Sequence, residues 1–172
     1  MLPLRTINQV ALVVEDLDAA VRRYWERLGI GPWRIYTYQP PLVKDMTYRG
    51  RPHEYRMRLA IAYAGDVMVE LIQPLSDENV YTEHLRQKGP GLHHVGVFVP
   101  LLRDAVADAT RAGYQVLQSG RGYGLHGDGG YAYLDTQDLF GMIVELIELP
   151  KERVEPEAVY PPPAPRGGGA PA

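Results

Sequence analysis

An apolar run, Ile7-Asn8-Gln9-Val10-Ala11-Leu12-Val13-Val14, opens the chain and predicts a strand. The apolar spacing then switches to the helical period through Leu17, Ala20, Val21, Tyr24, Trp25 and Leu28. Asp16 stands at the cap position and Gly29 at the stop. The same sequence of patterns recurs further on. Leu92-His93-His94-Val95-Gly96-Val97-Phe98-Val99 predicts a strand, and Leu102, Ala105, Val106 and Ala109 predict a helix that Gly113 stops. Each half closes on a similar run, Val69-Glu70-Leu71-Ile72 before Pro74 and Val144-Glu145-Leu146-Ile147 before Pro150. Strands are also expected at 33–38 and 55–63 in the first half, and at 114–117 and 131–134 in the second. The pattern predicts an α+β protein of paired βαβββ modules. The first spans 1–75, a linker helix lies within 76–90, and the second module spans 91–150. One helix covers one sheet face, so the other face must meet the second module or enclose a cavity.

Composition changes this picture at one end. Residues 151–172 hold Pro161-Pro162-Pro163, Pro165 and Gly167-Gly168-Gly169, and are expected to form a disordered tail. The 172 residues contain no Cys, which excludes disulfides, a cysteine nucleophile, an iron–sulfur cluster and a Cys-ligated zinc. A net charge of −3 argues against nucleic acid as a partner. No stretch is long and apolar enough for a membrane span, and Met1 to Arg5 does not resemble a secretion signal, so a cytoplasmic protein is expected.

Four polar residues stand out against this apolar background. Gln9 and His94 occupy the same point of the two opening strands, and Glu70 and Glu145 the same point of the two closing strands. A carboxylate inside such a run is costly unless it is paired or metal-bound. Repetition at equivalent positions points to a shared metal site of one imidazole nitrogen and three side-chain oxygens. Such a set suits Zn²⁺, Ni²⁺, Co²⁺, Mn²⁺, Fe²⁺ or Mg²⁺ and does not choose among them.

At these residues the chain resembles the vicinal-oxygen-chelate superfamily, the fold of glyoxalase I, methylmalonyl-CoA epimerase, extradiol dioxygenases and the fosfomycin- and bleomycin-resistance proteins. Three motifs are most similar to the epimerase branch. They are Gly91-Leu92-His93-His94-Val95, Glu70-Leu71-Ile72-Gln73-Pro74-Leu75 with Lys88-Gly89-Pro90-Gly91, and Gly141-Met142-Ile143-Val144-Glu145-Leu146. The resemblance implies a metal in a sheet cup, a small-molecule substrate and a homodimer. Two departures matter. Gln9 stands where the epimerase usually has His, which resembles eukaryotic glyoxalase I and disfavours a dioxygenase. The epimerase's third-strand carboxylate aligns near Leu59, where no acid sits, and Glu54 is the nearest candidate for a second base.

The resemblance implies a metal-dependent epimerase, racemase or isomerase that forms an enolate from a carbonyl substrate, such as an acyl-CoA or an aromatic ketone. Glu145 is the expected base, with Glu70 second. A glyoxalase-I-like lactoylglutathione lyase uses the same chemistry, and a metal-free binding or resistance protein is the alternative from another class. The aromatic and basic residues of 31–58 suggest Trp33, Tyr36, Tyr38, Arg56 and Arg58 as substrate contacts for a flat or anionic ligand. Strand alternation sends His93 to the face opposite His94. The Gly-dense segment 119–130 is expected to be a loop, either a mobile rim or a plain hairpin, with His126 at the surface.

Overall fold

A computed structural model describes residues 5–163. In chain order its elements are β1 (Gln9–Val13), α1 (Leu17–Leu28), β2 (Trp33–Tyr38), β3 (Lys44–Tyr48), β4 (Arg51–Pro52), β5 (Met57–Ala64), β6 (Val67–Pro74) and α2 (Val80–Lys88). There follow β7 (Gly91–Phe98), α3 (Leu102–Arg111), β8 (Val116–Tyr123), β9 (Gly129–Leu134), α4 (Gln137–Phe140), β10 (Ile143–Glu148) and β11 (Ala158–Tyr160). All strands join one mixed sheet, in the order β11-β2-β5-β6-β1-β7-β10-β9-β8-β3-β4. The halves meet where β1 and β7 run antiparallel, within a single chain. The sheet curls strongly: Tyr38 of β2 lies against Tyr123 of β8, ring centroids 5.2 Å apart, although these strands stand far apart in the order.

Strand alternation divides the core into two sides. On the convex side, α1 lays Leu17, Ala20 and Val21 onto Trp33, Ile35, Ala60, Ala62, Val69 and Leu71. The Asp16 carboxylate caps α1 by accepting from Ala19 N at 2.9 Å, and Gly29 ends it at φ 67°, a left-handed turn that glycine adopts without strain. α3 covers Ala132, Leu134 and Leu146 in the same way. Leu101 offers no side-chain cap there, and Glu148 of β10 takes that role, accepting from Leu102 N at 2.8 Å. The concave side holds Met57, Leu59, Ile61, Met68 and Ile72 with a group of tyrosines.

Two expectations change here. The insertion in the first module contains a hairpin, β3–β4, that crosses to the other half and pairs with β8 (Thr47 opposite Ser119). The segment 151–163 is ordered rather than a disordered tail. β11 pairs with β2, Glu157 accepts from Thr37 N at 2.9 Å, and Val154 packs against the concave core. The proline and glycine content that suggested disorder lies mostly beyond Tyr160, whereas 153–160 carries Val154, Val159 and Tyr160 to bury. Residues 164–172 lie outside the described residues. Among the described residues no helix is long and apolar enough to cross a membrane.

Trp33 is fully buried under α1, edge-on to Tyr24, and is therefore a core residue and not a substrate contact. Trp33→Ala is expected to cost about 3–5 kcal/mol of stability. A lowered melting temperature with an unchanged KM would register it.

Candidate metal centre

Pairing register builds the site on two neighbouring rungs of the sheet. On one rung Gly96 of β7 stands between Gln9 of β1 and Glu145 of β10. On the other, Ala11 of β1 stands between Glu70 of β6 and His94 of β7. Strands lie roughly 4.8 Å apart, so the long side chains on each rung must lean over the small residue between them to meet. Gly96 is required for this. A Cβ there would come within 2.4 Å of Gln9 Oε1 and 2.7 Å of Ile147 Cδ1. Gly96→Ala is expected to push Gln9 off its rung and weaken metal binding about 10-fold or more, as read by calorimetric titration.

The four predicted ligands do converge. All are buried, with exposures of 2% for Gln9, 7% for Glu70, 0% for His94 and 4% for Glu145. Gln9 Nε2 donates to Glu70 Oε2 at 3.1 Å, and Gln9 Oε1 lies 3.3 Å from His94 Nε2. His94 Nε2 is 3.0 Å from Glu145 Oε2 and 3.7 Å from Glu70 Oε2. One ligand atom from each of Glu70, His94 and Glu145 falls within 4.8 Å of the others.

Burial dominates the electrostatics. It raises the Glu145 carboxyl to about 8, against the pull of the Tyr133 hydroxyl. It also raises Glu70 well above the carboxylate range, helped by the charge of Glu145 and opposed by Arg153 and Gln9. Burial depresses His94 to about 3. The close His94–Glu145 contact is thus between a neutral ring and a carboxyl that largely holds its proton at neutral pH. That contact is short but poorly aligned, and Glu145 Oε2 has no hydrogen-bond partner among the described residues. An unpartnered buried oxygen, a second carboxyl, a neutral imidazole and an amide oxygen fit a divalent cation, whose charge would hold both carboxyls ionised.

His93 is not on the face opposite His94. Ala11 pairs with His94 and Leu12 with Leu92, which leaves His93 as the extra residue of a β-bulge. The bulge brings the two rings together, with Nδ1 atoms 2.8 Å apart. Were Nε2 to hold a cation, His94 would carry its proton on Nδ1 and donate it to His93. Alternation of side chains along the strand could not show this, because a bulge arises from pairing with β1.

A cavity of about 30 Å³ lies over the ligands, room for roughly one water-sized occupant. Tyr38, Leu59, Tyr123, Tyr131, Tyr133 and Arg153 are among its walls. Of the proposed substrate contacts, Tyr38 lines it and Tyr36 is buried in the same concave cluster. Arg58 turns to the convex side and pairs with Asp18 of α1 at 3.0 Å, and Arg56 is exposed with its guanidinium on Leu75 O. Glu54 is exposed and does not line the cavity. The Gly-dense segment is partly strand: Ser119–Tyr123 belongs to β8, with Gly120 and Tyr123 buried, and His126 is exposed as expected. Arg153 was hidden by the composition of its neighbours. Val154, set among charged residues, was the available hint that this stretch docks.

Residues 8–133 match the Glyoxalase/Bleomycin resistance protein/Dioxygenase superfamily. The chain belongs to that superfamily. It is 28% identical over 141 residues to the mitochondrial methylmalonyl-CoA epimerase of Mus musculus, covering 81% of this chain and 71% of the mouse protein. It is also 28% identical over 95 residues to the uncharacterised protein YqjC of Bacillus subtilis, covering 55% of this chain and 67% of YqjC. The fold is shared with a Streptomyces coelicolor methylmalonyl-CoA epimerase variant in complex with 2-nitronate-propionyl-CoA, at TM-score 0.61 and 21% identity over 85% of this chain and 98% of that one. It is likewise shared with the methylmalonyl-CoA epimerase of Mycobacterium tuberculosis, at TM-score 0.60 and 21% identity over 84% and 88%.

Proposed function

We propose that this chain is a metal-dependent epimerase or isomerase that removes a proton beside the carbonyl of an acyl thioester and returns it. The observation that carries this reading is the convergence of Glu70, His94 and Glu145, with Gln9, in one buried cluster below a cavity. Gln9, Glu70, His94 and Glu145 would hold a divalent ion, which supplies Lewis-acid stabilisation of negative charge on a substrate oxygen when bound. Glu145 would serve as the base for the adjacent C–H, and the proton it gains would go back to carbon directly or by way of Glu70. Among the described residues the cavity wall carries no third carboxyl; Leu59, near which the resemblance places the epimerase's acid, lines it, and both proton transfers would fall to this pair. The Tyr38, Tyr123 and Tyr131 rings line the cavity and would flank the reacting carbon.

Gln9 in the ligand set favours a second reading, a glyoxalase-I-type isomerisation of a glutathione hemithioacetal by the same proton chemistry. The test loads purified protein with each divalent metal and follows α-proton exchange in D₂O on methylmalonyl-CoA and on the hemithioacetal. Exchange on the thioester supports the first reading and turnover of the hemithioacetal alone the second. A protein that binds no divalent ion would overturn both.

A further inference from the structure

We propose that Arg153 recognises a carboxylate carried by the substrate, which would make the chain selective for acidic acyl thioesters. This rests on the enolate reading above. Residues 150–160 form a strap across the mouth of the cup, tied at both ends. On one side Leu125 N donates to Glu152 O at 2.8 Å and Lys151 N to Asp128 Oδ2 at 3.2 Å. On the other, Glu157 N donates to Ile35 O at 2.9 Å and β11 pairs with β2. Between the ties Arg153 enters the same cavity as Gln9, Glu70 and Glu145, and it is the only cation among the described residues lining it.

Its surroundings give the guanidinium neutral partners only, Tyr38 and Met68. The side chain is half-buried, and among the described residues no carboxylate lies within 4.0 Å. Its Nη2 lies 3.9 Å from Met68 Sδ. It lines one cavity with Tyr38, Tyr123 and Glu70, and its charge acts on all three. Two ionised carboxylates balance a divalent ion, so in the metal-loaded site Arg153 is left as an uncompensated positive charge against tyrosine rings and aliphatic groups. A half-buried cation of this kind is costly, and its planar fork of donors matches a carboxylate. Arg56 and Arg58, the other candidates for this role, face away from the cup.

The test compares methylmalonyl-CoA with its carboxamide analogue in α-proton exchange, using the metal-loaded full chain and the variants Arg153→Ala and Arg153→Lys. Arg153→Ala is expected to raise KM for the acid about 10- to 100-fold, with a much smaller effect on kcat and on the amide, and Arg153→Lys to recover part of the loss. Equal losses on acid and amide would overturn the proposal in favour of a general role in offsetting Glu70. Calorimetric titration with malonate and malonamide provides a readout independent of turnover. Malonate binding by the parent that Arg153→Ala abolishes upholds the assignment even if no thioester is turned over. Equal affinity of the parent for malonate and malonamide overturns it. Unchanged metal affinity in Arg153→Ala is expected, and its loss would also count against the proposal.

Discussion

Glu145→Gln is expected to lower α-proton exchange on a thioester by about 10²- to 10⁴-fold while leaving the fold intact. Gln has the shape of Glu and can fill the same place in the buried cluster, where Glu145 Oε2 lies 3.0 Å from His94 Nε2. It cannot accept a proton from carbon, and it brings no charge to a cation. Exchange measured by mass or NMR in D₂O, with circular dichroism to verify folding, checks this. Activity within a few-fold of the parent would remove Glu145 from the role of base.

The same substitution is expected to stabilise the metal-free protein at high pH. In the folded chain the Glu145 carboxyl titrates at about 8, against 4.5 for the ordinary group. Glu70 is shifted in the same direction. A folded state that holds protons the unfolded chain has released loses stability as pH rises. Below pH 4.5 the two states bind these protons equally. Between 4.5 and 8 the metal-free protein progressively loses stability, and Glu145→Gln removes part of that slope. A divalent metal acts in the opposite sense, because binding displaces the protons. Its affinity should climb through the same window, and at 1,000 times its dissociation constant it adds about 4 kcal/mol. Thermal melts from pH 5 to 8.5, with chelator and with excess metal, test both statements. A difference between parent and Glu145→Gln that stays constant with pH would show that Glu145 does not hold a buried proton.

Glu145 thus pulls stability and function in opposite directions, and this is why it was legible in the sequence. A carboxylate between Val144 and Leu146 breaks the apolar pattern at a cost, and Glu70 breaks it at the equivalent point of the other half. Gln9 and His94 complete the repeat. The rungs that bring the four together follow from period-2 alternation and from the pairing of equivalent strands, so the ligand cluster could be read before any contact was known. Glu54 could not be decided in this way. It sits in a connection between β4 and β5, where no period fixes its direction, and it is exposed.

Trp33, Arg58, His93 and Arg153 mark where local pattern stops. Alternation separates Trp33 from Tyr36 and Arg58 from Leu59, but it does not say which side of the strand is concave. That depends on where α1 lies, and α1 takes Trp33 into the core and Arg58 onto Asp18. The bulge at His93 exists only through register against β1. The strap that delivers Arg153 is held by β2 and by the turn after β8, partners remote in sequence that composition cannot reveal. By itself the sequence determined the two βαβββ units, the end of the first helix at Gly29, the close of the first unit near Pro74, and the chemical identity of the four candidate ligands, because these depend on spacing along one chain. The tertiary structure decided the direction of the cup, the second imidazole beside His94, and the cation at its mouth, because each depends on which distant strand lies alongside.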